Sequence, residues 1–336
     1  GARIVVWNRA TGEARELPAT PDQRPHLVDW TADSRRLIFW EPEGTANAIS
    51  FMPLDGPTGK LARPAGVAAP DSFSSRSGHL GLTMQSLQQP VEAYVARIEG
   101  DRLSVPVGVS AANTALELPE LPKTEVIRWR SADGREIEGL LTYPLRHTPG
   151  KPAPLVLVIH GGPAGIFQER FVAGPNLHPV ASFAHKGYAV LQPNPRGSTG
   201  YGPAFRELVV KDWGGKDFQD LMSGVDHVIS LGVADPDRLA VMGWSYGGFM
   251  TAWTVTQTTR FKAAVVGAGI TNNVSMYGTQ DIPSVYEDYF GGPPWDHAAV
   301  YAASSPIENV RNVRTPTLII HGENDPRVPV GQAYEF

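Results

Sequence analysis

One hexapeptide constrains this chain more than any other stretch: Gly243-Trp244-Ser245-Tyr246-Gly247-Gly248. The run before it, Leu239-Ala240-Val241-Met242, has the short apolar character of a buried parallel strand. After it, Phe249-Met250-Thr251-Ala252-Trp253 opens a helix-compatible pattern. Strand, Gly-x-Ser-x-Gly and helix, in that order, are the context of a nucleophile elbow. A turn this sharp leaves no room for side chains beside the serine, so glycines flank it. The turn presents the hydroxyl of Ser245 over the carboxyl ends of a sheet, which makes Ser245 the candidate nucleophile.

The surrounding pattern supplies that sheet. Thr124-Glu125-Val126-Ile127-Arg128-Trp129-Arg130 and Glu136-Ile137-Glu138-Gly139-Leu140-Leu141-Thr142-Tyr143 flank Ala132-Asp133-Gly134, a hairpin signal. Apolar runs at 154–159, 189–192, 239–242, 263–266 and 317–320 then predict strands, and 176–186, 204–211 and 216–231 are long enough for helices between them. Phe218, Leu221, Val225 and Val228 form one apolar helical stripe. Buried strands alternating with helices imply a mainly parallel sheet covered on both faces. With a leading hairpin and an elbow serine in the middle, this is the α/β-hydrolase layout.

The first third reads as short strands in a repeat. Trp30, Leu37, Phe39 and Phe51 recur as Phe73, Leu80, Leu82 and Tyr94, a step of 43 residues. Each unit is an aromatic residue, a polar turn, an apolar strand and a second strand ending at a turn such as Asp55-Gly56 or Glu99-Gly100. Several strands per 40 to 45 residues is the signature of propeller blades. Only about two and a half units are present, so the expectation is the C-terminal part of a β-propeller over 1–118, with the hydrolase domain over 119–336. A polar, Pro-punctuated stretch at 110–123 separates the two.

A serine hydroxyl needs a base to take its proton and donors for the oxyanion. His160-Gly161-Gly162-Pro163 follows the 154–159 strand where the first oxyanion loop belongs, so the expected donors are the N–H groups of Gly162 and Tyr246. The acid is expected after the 317–320 strand, at Asp325, with Glu323 as the solvated competitor. In this fold the histidine follows the acid, and none follows Asp325. His160, His297 and His321 read as structural histidines. The expectation is therefore a triad histidine beyond Phe336, a sheet short of its last strand, and near-inactivity of these residues alone.

Composition excludes other classes. The 336 residues contain no cysteine, which rules out disulfides, thiolate metal sites and cysteine catalysis. A net charge of −5 without a dense Lys/Arg cluster argues against nucleic acid. No apolar run approaches the ~20 residues of a membrane-spanning helix. No metal or other cofactor is expected, and the expected compartment is the cytoplasm.

Taken together, the motifs resemble the prolyl oligopeptidase family of serine peptidases, in its acylaminoacyl-peptidase-like and dipeptidyl-peptidase-like branch. The resemblance rests on His160–Pro163, Asn194-Pro195-Arg196-Gly197-Ser198-Thr199-Gly200-Tyr201-Gly202, Asp212-Trp213-Gly214, the elbow, Ser305-Pro306-Ile307, and the stretch from His321 to Pro329. It implies Ser245 as nucleophile, Asp325 as triad acid, Gly162 and Tyr246 as oxyanion donors, and short peptides as substrates, with a homo-oligomer compatible. Trp244, Tyr277, Tyr286, Tyr289 and Phe290 either line the substrate pocket, as the resemblance implies, or pack a helical cover. Two readings compete with a peptidase: a carboxylesterase on the same elbow, and a non-catalytic binding module.

Overall fold

Short alternating stretches at the start of the chain fold as antiparallel strands. The computed structural model describes residues 1–74 and 76–336; Ser75, in the polar turn of the second repeat, lies outside the described residues. Strand β1 (Val5–Trp7) pairs with β2 (Ala14–Glu16). One four-stranded sheet follows in the order β3 (His26–Trp30), β4 (Arg36–Glu43), β5 (Ala46–Pro53), β6 (Gly59–Ala62). A second runs β7 (Val67–Ser74), β8 (His79–Ser86), β9 (Gln89–Glu99), β10 (Arg102–Leu103), with β11 (Val107–Gly108) also paired to β9.

The two sheets are the two repeats. Trp30 lies opposite Leu37 in the first, and Phe73 lies opposite Leu80 in the second. The correspondence then slips by one residue. Phe51 faces Ile38, whereas Tyr94 faces Leu82, because an irregularity between Met84 and Ser86 shifts the register. Strand β4 is buried on both faces: Leu37 and Phe39 cluster with Ile4 and Leu17, while Ile38 clusters with Ala68 and Leu80. Antiparallel sheets of four or five strands stacked face to face are propeller blades.

The chain divides into two compact units. The first contains Gly1–Leu121 together with Gln168–Gly174 and Thr199–Ala204; the second contains Pro122–Phe167, Pro175–Ser198 and Phe205–Phe336. The two later loops are bonded into the first unit. Gln168 Nε2 donates to Asn47 Oδ1 (2.7 Å) and to the Ala46 carbonyl (3.0 Å). Asp22 Oδ1 accepts the N–H groups of Gly200 (3.0 Å) and Gly202 (2.9 Å).

In the second unit β12 (Thr124–Arg130), β13 (Glu136–Thr142), β14 (Ala153–Ile159), β15 (Ala189–Asn194), β16 (Ala234–Trp244), β17 (Phe261–Gly267) and β18 (Thr317–Ile320) form one sheet in the order β12-β13-β15-β14-β16-β17-β18. The pairs β12–β13 and β13–β15 are antiparallel and the rest parallel, which is the α/β-hydrolase layout. The helices are α1 (Val180–His185), α2 (Pro203–Arg206), α3 (Lys216–Ser230), α4 (Tyr246–Gln257), α5 (Asn273–Thr279), α6 (Pro283–Phe290), α7 (Ala298–Ala303) and α8 (Gly331–Glu335). Helix α1 is shorter than the predicted 176–186 because Pro179 stands at its start and lacks the N–H that would continue a helix from upstream. The predicted 204–211 helix breaks into α2 and a 3₁₀ turn, Glu207–Val209.

The core lies between sheet and helices. Leu155, Leu157 and Ile159 of β14 and Leu221, Val225 and Val228 of α3 are at most 1% exposed. Helix α4 is buried from Tyr246 to Thr256, enclosed on every side, with Thr251 and Thr256 turning their hydroxyls onto its own carbonyls. Among the described residues no helix is long and apolar enough to cross a membrane.

Candidate active site

The elbow forms where β16 ends. Ser245 sits between β16 and α4 at φ 60°, ψ −121°, a left-handed conformation that side chains rarely adopt. Its N–H donates to the Gly267 carbonyl on β17 (2.9 Å), and its own carbonyl accepts the N–H of Phe249 (2.9 Å), which starts the helix. The glycines are required by contact. A Cβ on Gly243 would lie 2.4 Å from the Gly247 carbonyl oxygen, one on Gly247 2.1 Å from that of Ile159, and one on Gly248 2.3 Å from that of Gly267.

The His160–Pro163 loop leaves β14, the neighbour of β16, and runs against the elbow. A Cβ on Gly161 would sit 3.5 Å from Ser245 Cβ and 3.3 Å from the Trp244 carbonyl oxygen. Gly162 has φ +141°, open only to glycine, and the bond to Pro163 is cis. His160 is 6% exposed, with Nδ1 2.7 Å from the Gly161 carbonyl and Nε2 3.0 Å from Ser198 Oγ. Burial holds its imidazole down at about 4, well below the ordinary histidine range.

Asp325 lies beyond β18, two strands from Ser245 and at the same carboxyl edge. Its Oδ1 accepts the N–H groups of Arg327 (2.8 Å) and Val328 (3.0 Å), which fixes the carboxylate in its turn. Arg327 in turn pairs with Asp281 (2.6 Å) on the surface. Glu323 is exposed. His321 Nε2 donates to the Val328 carbonyl (2.6 Å), a structural bond that braces the same turn.

The aromatic residues separate into two groups. Tyr286 and Phe290 are 3% and 1% exposed and stack on each other, so for these two the geometry is that of a packed cover. Trp213 anchors that cover, with ring centroids 5.0–5.6 Å from Tyr246, Phe249, Tyr286, Tyr289 and Phe290. Trp244, Tyr277 and Tyr289 are only half-buried.

The sequence reading passed over the carboxylates of α3. Asp217 and Asp220 are both 0% exposed. The Tyr246 hydroxyl donates to Asp217 Oδ2 in a short hydrogen bond, and the Gly214 N–H donates to the same oxygen (3.2 Å). Burial pushes the Asp217 carboxyl up to about 7 against these donors, and drives the Tyr246 phenol well above its usual range. Asp220 holds Arg196, itself 1% exposed, through Nε (2.9 Å) and Nη2 (2.7 Å), and Asp133 takes the other side of the guanidinium. That guanidinium holds the Asp133 carboxyl down at about 2. A signal was present: two acids inside the buried face of an amphipathic helix need partners.

Comparisons with known proteins agree with this architecture. Residues 176–336 match the sequence profile of the prolyl oligopeptidase family. The chain is 33% identical over 94% of its length to the uncharacterized peptidase YuxL of Bacillus subtilis. It is 32% identical over 97% of its length to dipeptidyl-peptidase 5 of Schizosaccharomyces pombe. The chain spans about half the length of these curated relatives, 47% of each. Among solved structures, the acylaminoacyl peptidase of Pyrococcus horikoshii matches over 96% of this chain and 50% of that one, with TM-score 0.80 and 26% identity.

Proposed function

Given that this chain belongs to the prolyl oligopeptidase family, we propose that the whole protein hydrolyses short peptides through an acyl-enzyme on Ser245. The observation that carries this reading is the backbone of Ser245, φ 60° and ψ −121° at a strand-to-helix junction. Ser245 Oγ attacks the scissile carbonyl, and the N–H groups of Tyr246 and Gly162 stabilise the oxyanion that forms. An imidazole oriented by Asp325 takes the serine proton and returns it to the leaving amine. Water then repeats the attack on the ester.

No histidine follows Asp325 within these 336 residues. On this reading the imidazole comes from the protein outside them, and the 336 residues alone turn over ~10²–10⁴ more slowly than the whole protein. We assign 1–118 to a propeller part and 119–336 to the hydrolase part, except that the loops Gln168–Gly174 and Thr199–Ala204 group with the first unit. Release of an acylated residue or a dipeptide from the N-terminus is supported by the names of the relatives, acylaminoacyl peptidase and dipeptidyl-peptidase 5. The half-buried Trp244, Tyr277 and Tyr289 suit an apolar side chain at the cleaved bond, while Tyr286 and Phe290 are buried in the aromatic cover around Trp213.

The test is fluorophosphonate labelling of the whole protein beside Ser245→Ala. Labelling should vanish in the variant; equal labelling in both would place the nucleophile elsewhere. Turnover of esters with none of peptide amides would favour the carboxylesterase reading instead.

A further inference from the structure

We propose that the two buried aspartates of α3 are positioning residues for the oxyanion site, one for each of its N–H groups. Asp217 acts through the phenol of Tyr246. Asp220 acts through Arg196 and the Ser198–His160 pair, which ends on the carbonyl of Gly161. The proposal rests on the reading of Tyr246 and Gly162 as the oxyanion donors, and it gives a role to the Asn194–Gly202 and Asp212–Gly214 motifs.

The two carboxylates are three residues apart on a helix, so they share one face. An unbonded buried carboxylate is too costly to persist, so each marks a bonding arrangement that the fold must complete. Asp217 completes its own with Tyr246, the first residue of α4. The Tyr246 ring is 1% exposed and meets Trp213 edge-on at 5.0 Å. Its phenol is therefore tied at the far end while its backbone opens the helix. The N–H of Tyr246 cannot turn unless that ring moves.

The second arm is longer. Asp220 Oδ2 accepts both the backbone N–H of Arg196 and its Nε, each at 2.9 Å, so main chain and side chain are clamped together. Two residues on, Ser198 is 0% exposed, its hydroxyl 2.6 Å from the Pro195 carbonyl and 3.0 Å from His160 Nε2. His160 reaches forward to the Gly161 carbonyl at 2.7 Å. That contact needs the ring proton on Nδ1, so Nε2 and the Pro195 carbonyl share the single hydroxyl proton of Ser198. The Gly161 carbonyl and the Gly162 N–H belong to one planar peptide and point in opposite directions. Holding the carbonyl back therefore aims the N–H.

The experiment uses the whole protein and four variants: Asp217→Ala, Asp217→Asn, Tyr246→Phe and Ser198→Ala. Each is titrated with a fluorophosphonate to count working Ser245 sites. Each is then assayed for kcat, KM and the affinity of a peptide aldehyde, whose adduct carries the oxyanion. A whole donor is worth ~10²–10³ in kcat, so misaiming one should cost ~10–100-fold at nearly unchanged KM. Aldehyde affinity should fall in parallel, and Asp217→Asn, which keeps an acceptor for the phenol, should recover most of the loss. Tyr246→Phe removes the same bond and serves where Asp217→Ala does not fold. The proposal is overturned by variants with wild-type kcat and aldehyde affinity per titrated site, because α3 would then only be holding the fold together. Turnover surviving in Ser245→Ala would instead sink the reading of the site beneath it, an outcome visible before any α3 variant is made.

Discussion

Ser245 and Asp325 leave the same sheet at the carboxyl ends of β16 and β18, yet their turns are held in different ways. The serine turn is placed by steric necessity: Gly243, Gly247 and Gly248 each face backbone atoms that would stand 2.1–2.4 Å from an added Cβ. Backbone at that distance cannot give way. The aspartate turn is placed by hydrogen bonds from Arg327 and Val328, with ordinary space around it; a Cβ on Gly322 would meet only Asp325 Cβ at 3.8 Å. Damage to the first turn should therefore appear as unfolding, and damage to the second as lost rate in a folded protein.

The largest effect expected on the acid side is that of Asp325→Asn in the whole protein. With Asp325 as the proposed triad acid, asparagine keeps an acceptor for the two N–H groups but cannot hold an imidazolium, so kcat should fall ~10⁴-fold. The melting temperature should move by no more than about 3 °C. A large loss of stability here would break the contrast. On the elbow side, Gly247→Ala should cost more than ~3 kcal/mol in urea unfolding or prevent soluble expression, while Gly322→Ala should cost less than ~1 kcal/mol. Equal costs would show that both turns are held alike.

Acid should find the elbow side next. His160 titrates at about 4 in the folded chain, against a reference of 6.5. The unfolded chain takes up that proton first as pH falls. The stability of burying the neutral ring is complete above pH 6.5 and is lost on the way down to about 4. Asp217, raised to about 7 by burial, slopes the other way over the same range, so the test is a difference. The urea-unfolding free energy of the wild type minus that of His160→Gln should fall by about 3 kcal/mol between pH 7 and 4. Smallest is the surface pair Arg327–Asp281, with side chains 56% and 40% exposed. A double-mutant cycle should give a coupling below ~1 kcal/mol. A larger value would mean that the acid turn depends on that pair as well as on its backbone bonds.

How much of this was legible in the sequence depended on the range of the interaction. The elbow, the hairpin and the strand Thr317–Ile320 could be read because local pattern and spacing determine them. The 43-residue step found strands with equivalent partners, though not the irregularity at Met84–Ser86, which leaves no local mark. Arg196 belonged to a quoted motif, but its partners are 24 and 63 residues away, so its role was invisible along the chain. The Tyr246–Asp217 bond spans 29 residues and was missed for the same reason. For Tyr286 and Phe290 the sequence left pocket and packing equally open, and only burial could separate them from Tyr277.

The first unit's use of residues from the middle of the chain has a consequence for synthesis. Asp22 and Asn47 emerge from the ribosome more than a hundred residues before their partners at Gly200 and Gln168. At ~5–20 residues per second, that interval is on the order of ten seconds. During it the early strands hold buried polar groups whose native donors do not yet exist, so the first unit cannot complete its folding in the order in which it is made. A gene divided after residue 121 would make that delay permanent, separating the strands from loops that belong to the same body.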